Sequence, residues 1–598
     1  MLRSFFNMLR PFRRDYRRYM AGVVLRQALL VLGGYSLVWA LRVCLGHSMI
    51  PEWAFIAALI LFDAAYLRFD LGLNYRYSER ISYPLFAKLR TGALEKVLSM
   101  PMEWHQKQNA GELTGKVNNG VGKVVQTTEG VSRELVPALI QTGFSLVPLV
   151  LVTPWTTPAF VISLLAFLWL TLCEQKQRRP FARRRYEDYN RDFGLFAESI
   201  QAVQPVTQYG QSGNVLRRYR RVQERIVEQG LAEARIGNRY GFWRNLITSL
   251  AKRACQGVWI WEYRRHMLDA AMIMYVNMLT EQLLASFGGY ASLLERIYDG
   301  LEPTRVLVKL MDERPAIADD PSARRVQVAE SVGVRMRGVR FTYPRRKSPV
   351  LRDLDLTIAP GTVLGIVGRS GCGKTTIHNL LSRLFDLQDG SIEVSGKDIR
   401  RWPLEQLRGV FAHVSQNGGV FFSGLRIADV IRFTRPEASL REVVRVAKAA
   451  CIHEEICRLP RKYKTRIGQG GVSLSKGQQQ RVALAQALIA MREERKILVL
   501  DEFTSALDSE TEEIILRNLE PWLEGRTIII IAHRLSTVRK LADEIIVLDE
   551  NGIAEQGTHA ELVASGGWYS EMARLQAVGV DAADGLIPGK LVRLARVG

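Results

Sequence analysis

The sequence predicts an all-α, six-helix transmembrane domain followed by an α/β domain organised around a phosphate-binding loop. Two observations carry this. In the first half, apolar stretches of roughly 20 residues, long enough to cross a bilayer, alternate with basic polar stretches; in the second half, short apolar runs alternate with turns and helices. The loop itself is Gly368-Arg369-Ser370-Gly371-Cys372-Gly373-Lys374-Thr375, set between the apolar run Val363-Leu364-Gly365-Ile366-Val367 and the helical Ile377-His378-Asn379-Leu380-Leu381. At 598 residues the chain exceeds one ordinary domain. The expected division is a membrane domain over 1–320, an α/β P-loop NTPase domain over 330–575 and a loosely ordered tail over 576–598.

Lysine and arginine number 82 against 60 acidic residues, a formal net charge of +22 that points to an anionic neighbour. The basic residues cluster beside apolar stretches. Arg13, Arg14, Arg17 and Arg18 precede the first, and Lys176, Arg178, Arg179, Arg183, Arg184 and Arg185 follow another. Anionic lipid headgroups and the positive-inside rule predict that distribution. It makes membrane lipids the expected partner and the N-terminus cytoplasmic. No nucleic-acid module accompanies the charge, so nucleic-acid binding is not expected. The cysteines (Cys44, Cys173, Cys255, Cys372, Cys451 and Cys457) have neither disulfide nor zinc spacing, which places the second half in a reducing cytoplasm. The apolar run from about Gly22 to Leu45 is long enough to remain as a span rather than a cleaved signal.

The spans form three hairpins. The first span turns at His47 to Glu52, and a second returns from Trp53 to about Leu73 before continuing as a polar helix towards Pro101. A third rises through Leu135 to Val152 and turns at Thr153 to Pro158. A fourth then descends through Phe160 to Leu172 and runs on as a basic stretch to Tyr209. The last pair rises from about Phe242 to Tyr263 and returns from Ala270 to about Leu294. Residues 311–325 read as the linker.

In the loop, the glycines let the backbone N–H groups of 368–373 converge on phosphate oxygens at a helix N-terminus. Lys374 is placed to reach the β- and γ-phosphates, the Thr375 hydroxyl to ligate Mg²⁺, and Thr376 follows on the same turn. Downstream, Ile497-Leu498-Val499-Leu500-Asp501 is an apolar strand ending in a carboxylate suited to Mg²⁺. Glu502 follows at once, placed to orient an attacking water or take its proton.

With these residues in hand, the second half resembles the ATP-binding cassette (ABC) family. Leu474-Ser475-Lys476-Gly477-Gln478 looks like the family's signature loop, and Phe503-Thr504-Ser505-Ala506-Leu507-Asp508 resembles its D-loop, with Ser505 and Asp508 as site residues. His533 matches the switch histidine, Gln416 the Q-loop glutamine that joins Thr375 and Asp501 on the metal, and Tyr343 the aromatic that stacks on adenine. One departure is Lys476, where the signature normally has glycine. The first half resembles the family's exporters more loosely, through 104–113 and 198–209. The whole is similar to a half-size exporter of the multidrug and lipid-flippase type. That resemblance implies ATP and Mg²⁺ as cofactors, Glu502 and His533 as catalytic residues, and a bacterial-type inner membrane. It also implies a homodimer in which Ser475 and Gly477 of one copy cap the nucleotide held by Lys374 of the other.

Cargo is the open question. Lys252, Gln256 and Trp259 share a helical face beside Arg253, and Asn277 and Glu281 form a stripe on the next helix. Charged groups inside a span face a cavity or a partner. One reading is a basic pathway for an anionic or amphipathic substrate; the other is that Lys252 and Arg253 pair with Glu262, Glu281 or Asp63 to hold the bundle. Lipid or glycolipid flipping is an alternative within transport, and an ATP-gated membrane regulator or channel is one outside it.

Overall fold

The computed structural model describes residues 10–44, 52–320, 323–329, 332–344, 346–415, 419, 424–468, 470–491 and 495–583. The chain separates into two compact units, Met1–Met100 with Trp104–Pro315, and Ala316–Gly598 with Pro101–Glu103.

The first unit is helical. Helix α1 (Arg13–Cys44) packs on α2 (Glu52–Tyr77), and the pair runs antiparallel, since Gly22 lies against Leu73 and Arg26 bonds Asp70 at 3.0 Å. A π turn (Ser78–Ser82) carries α2 into α3 (Tyr83–Ser99). Then come α4 (Ala110–Gly130), a second π turn (Val131–Leu135), α5 (Val136–Val152), α6 (Thr157–Gln201), α7 (Ser212–Arg264) and α8 (Ala270–Asp312). The three expected hairpins are all present as helices, and α6, α7 and α8 run far beyond a bilayer's thickness. Among the described residues, two helical stretches, Ala110–Val152 and Pro154–Gln201, are long and apolar enough to cross a membrane. Helices α7 and α8 carry charged and polar residues that lower their mean hydropathy. Between α5 and α6, Thr153 and Thr156 bury their hydroxyls by bonding backbone, which closes the tight turn. An ion network ties α6, α7 and α8: buried Glu174 pairs with Arg244 at 2.6 Å and accepts from Arg178 at 3.3 Å, and Arg178 reaches Glu295 at 2.8 Å. Such networks fix one arrangement of helices more than they add stability.

The second unit has two sheets. Strands β1 (Val334–Phe341), β2 (Leu351–Ile358), β4 (Asp389–Val394) and β5 (Lys397–Asp398) form an antiparallel sheet in the order β2-β1-β4-β5. The larger sheet contains β3 (Val363–Gly368), β6 (Phe411–Val414), β7 (Ile497–Asp501), β8 (Thr527–Ile531), β9 (Glu544–Asp549) and β10 (Gly552–Gly557), ordered β10-β9-β3-β8-β7-β6 and parallel except for β10. Strands β3, β7 and β8 are buried throughout, as apolar runs in a sheet covered on both faces must be. Their alternation divides the core. Leu498, Leu500, Ile528 and Ile530 face one cluster, and Ile497, Val499, Ile529 and Ile531 face the other. The helices that bear on the site are α9 (Lys374–Leu381), α10 (Lys476–Ala490), α11 (Ser509–Leu523), α12 (Leu535–Leu541) and α13 (Trp568–Ala583). The last of these corrects the expected boundary at 575: an amphipathic helix, with Trp568, Met572 and Ala573 against the core, runs through it. The tail beyond 583 lies outside the described residues.

Two histidines bridge α9 to β6. The rings of His378 and His413 meet edge-on at 4.5 Å, and His413 Nε2 lies 3.4 Å from the Ser382 hydroxyl. Burial lowers His378 to about 4; burial, then the charges of His378 and Arg495, lower His413 to about 3. Both rings are neutral in the folded protein at pH 7, whereas in the unfolded chain they protonate near 6.5. Their contribution is therefore complete above about pH 6.5 and is lost as pH falls towards 4 and 3, at up to about 1.4 kcal/mol per pH unit for each ring. The double variant His378→Leu/His413→Val is expected to flatten the fall of the unfolding midpoint between pH 6.5 and 4, measured by thermal scans at stepped pH.

Candidate functional site

Parallel register places three strand ends on one edge. Gly365 and Ile366 of β3 pair with Ile530 and Ile531 of β8, and Asp501 of β7 pairs with Ile531. The phosphate loop leaves β3, the carboxylates leave β7, and the His533 turn leaves β8 at the same edge. Open α/β sheets bind ligands at this edge.

The loop's shape is imposed by its glycines. Gly368 has φ +150 and a Cβ there would lie 2.2 Å from the Leu548 carbonyl; Gly373 has φ +105 and a Cβ would meet Leu351 at 2.7 Å. No side chain fits either position. Arg369, Ser370, Gly371 and Thr375 are exposed, whereas Cys372 and Thr376 are buried. Cys372 packs into the core, so its backbone alone faces the ligand side. Lys374 is 6% exposed, and its Nζ donates to the carbonyls of Gly368 at 2.8 Å and Arg369 at 2.9 Å. The ammonium thus sits inside the loop with neutral acceptors, and phosphate oxygens would offer it charged ones.

Asp501 is 3% exposed. Burial pushes its carboxyl up to about 6, opposed by a hydrogen bond with Thr375 and by Lys374, and reinforced by Glu502. Its Oδ1 is buried without a hydrogen-bond partner among the described residues. A buried, unanswered carboxylate oxygen next to the Thr375 hydroxyl fits a hard divalent cation with oxygen ligands. Gln416, expected on the same metal, lies outside the described residues. Glu502 adopts the left-handed region at φ +47, donates its N–H to Ile531 at 2.9 Å and meets His533 Nε2 through Oε1 at 2.8 Å. Strain of about 1–3 kcal/mol at a non-glycine residue in this region is typical of sites where the side chain must point one way. A cavity of about 230 Å³ opens beside the pair, lined by Ser505, His533 and Arg534 among others.

The signature residues form a helix start. Ser475 caps α10, accepting from Gln478 N at 3.2 Å, while Gln478 Oε1 accepts from Ser475 N at 2.9 Å. Lys476 occupies the first helical position with its side chain exposed, so it adds a cation to this turn without disturbing the fold. Gly477 is close-packed, since a Cβ would lie 2.9 Å from Ala506 O. Asp508 caps α11 through Thr511 N at 2.8 Å. Tyr343 turns its ring edge-on to Phe341 and Phe385, and its hydroxyl meets Thr376 at 3.2 Å and Asn379 at 3.1 Å, beside the phosphate loop.

In the membrane half, Lys252 pairs with Glu281, as the bundle-holding reading required. Arg253 is exposed and bonds the Gln256 amide at 2.8 Å; Asn277 is half-buried. Trp259 is a correction. At 2% exposure it packs with Leu149, Phe160, Cys255 and Leu279, so it belongs to the helix core and not to a pathway. Shared helical spacing alone did not reveal which neighbour covers that side.

Two glutamines escaped the sequence reading. Buried Gln480 bonds Ser505 Oγ at 2.8 Å and accepts from Ala506 N at 3.0 Å, which pins the D-loop to α10. Gln576 of α13 donates to His533 O at 3.1 Å and accepts from Leu535 N at 2.9 Å. It clasps the turn that aims His533 at Glu502. We expect Gln576→Ala to lower the ATPase kcat about three- to tenfold, the worth of one or two hydrogen bonds, with KM for ATP little changed. In a His533→Ala background the same change is expected to add nothing, since it acts through His533. Steady-state kinetics of the four proteins check this.

The geometry agrees with comparison to known proteins. The family model described as ABC transporter covers residues 351–505, and that described as ABC transporter transmembrane region covers 53–283. The ATP-dependent lipid A-core flippase of Chromobacterium violaceum is 31% identical over 82% of this chain and 83% of its own length. The multidrug resistance-like ATP-binding protein MdlA of Escherichia coli is 29% identical, over 96% and 97%. The solved structure of a bacterial Atm1-family ABC exporter with ATP bound superposes with a TM-score of 0.85 at 27% identity, covering 94% of this chain and 98% of that one. The chain belongs to the ABC transporter family, as a multi-pass membrane protein of the exporter type that couples ATP hydrolysis to transport.

Proposed function

We propose that this exporter works as a homodimer in a bacterial-type inner membrane and moves an anionic or amphipathic substrate outward. The substrate class rests on Arg253: it is exposed on α7 and answered by the neutral Gln256 amide, whereas neighbouring Lys252 is neutralised by Glu281. An unneutralised cation within a span favours an anionic ligand or partner. The pairing of copies is supported by the exposed Ser475–Lys476 turn, whose resemblance to the signature implies a nucleotide held across two chains. Thr375, Asp501 and Gln416 are the residues that would hold Mg²⁺, which when bound offsets phosphate charge. Glu502, held by His533, would orient water and accept its proton. Transport follows if the two access states bind cargo with different affinity.

A lipid or glycolipid cargo is the second reading, favoured by the likeness to a lipid A-core flippase. Stimulation of ATPase by lipids, compared with soluble amphipathic anions, separates the two.

Glu502→Gln is expected to lower ATPase by about 100-fold or more while nucleotide still binds; turnover near wild type would overturn the catalytic assignment. For the cargo, Arg253→Gln is expected to weaken stimulation by anionic compounds and leave neutral ones unaffected. Unchanged transport of every anion tested, in Arg253→Gln and Lys252→Gln alike, would remove the basic pathway.

A further inference from the structure

We propose that the cavity between α1 and the α2 end of the first hairpin is a binding site for the phosphate-bearing headgroup of an anionic phospholipid. Its volume is about 490 Å³. Arg18 of α1, Arg68 and Arg76 of α2, and Arg80 of the π turn converge on it. Two carboxylates share the lining, Asp15 and Glu79, and Asp15 already answers Arg80 at 3.7 Å. Arg18, Arg68 and Arg76 have no carboxylate within ion-pair distance among the described residues. The walls therefore carry excess positive charge, and guanidinium groups match phosphate oxygens in both charge and geometry.

The position fits a lipid better than a free ion. The antiparallel α1 and α2 bring their basic ends together where the apolar run of each helix stops. That is the depth at which headgroups lie, and basic pockets between spans bind anionic headgroups there. On the same two helices Val24, Leu25, Leu67 and Leu71 are exposed and offer an apolar surface for acyl chains. Arg68 and Arg76 lie about 12 Å apart along α2, so Arg68 is the deeper, and its long side chain can reach back to the interface.

The cavity is also built rather than incidental. Gly72 lies midway between Arg68 and Arg76 and lines it, and a Cβ there would have nothing within 4 Å, so a larger residue would fill the space. Gly22 instead is tightly packed on Leu73, which brings the two helices close at the cavity's edge. Tyr19, 4% exposed, lines the cavity, and its hydroxyl has no hydrogen-bond partner among the described residues. The lower margin is the π turn, a departure from α-helical geometry that often marks ligand sites. The pathway residues named above, Lys252, Arg253, Gln256, Asn277 and Glu281, lie on α7 and α8 and not on this hairpin.

The test uses the full chain purified in a neutral detergent. It is titrated with short-chain phosphatidylglycerol, short-chain phosphatidylcholine and inorganic phosphate, and bound ligand is counted per chain by native mass spectrometry. Wild type is expected to hold one tight phosphatidylglycerol per chain, with phosphatidylcholine and inorganic phosphate about tenfold weaker or more. Arg68→Gln/Arg76→Gln removes the charge, and Gly72→Leu fills the space with the charge intact; each is expected to weaken that lipid about tenfold or more. Wild-type affinity in both variants overturns the site. Equal binding of phosphatidylcholine overturns the charge reading, and equal binding of inorganic phosphate overturns the lipid in favour of a free anion. If the double variant melts early, Gly72→Leu decides alone, because its side chain enters open space.

Discussion

Strands β3, β7 and β8 are buried on both faces, and a one-residue slip would drive each side chain out of the cluster it is packed into and into the opposite one. That lock determines where the chemistry occurs. With Asp501 opposite Ile531 and Ile366 opposite the same residue, the next backbone step of each strand emerges on one edge. The phosphate loop, the Asp501–Glu502 pair and the His533 turn are then neighbours by necessity. Everything specific to the site hangs on this edge: glycine positions set by the Leu548 carbonyl, a lysine folded into its own loop, and a glutamate held against a histidine.

What was legible in the sequence follows from the same physics. The phosphate loop between an apolar run and a helix could be read because glycine spacing and burial are both local signals. The signature turn could be read through its resemblance to the family's loop; in the structure its Ser-x-x-Gln sequence also forms a capping box, at 3.2 and 2.9 Å. Trp259 and the two glutamines could not be read. A helical wheel says which residues share a face, but not which helix covers it, and Trp259 is covered from 110 residues earlier by Leu149. Gln480 stands in a run of three glutamines, and only tertiary contact selects the one that holds the D-loop. Gln576 stands at the start of a Gly- and Ala-containing, basic stretch that reads as a tail, while its role depends on a turn 43 residues away.

In the membrane half, charge plays two separate parts. Where a carboxylate faces a cation directly, as in Glu174 with Arg244 or Glu281 with Lys252, charge fixes how the helices are arranged. Where guanidinium groups gather around open volume, as at the ends of α1 and α2, charge is left for something outside the chain to satisfy. Mean hydropathy registers neither distinction.

Glu502 occupies a backbone conformation that glycine or asparagine would accept more readily, at φ +47. Its side chain is kept there against local preference. A laboratory campaign that selected this protein for heat resistance alone would find residue 502 an attractive place to improve, since glycine there would relieve backbone strain. Each such gain would yield a sturdier motor that no longer turns over.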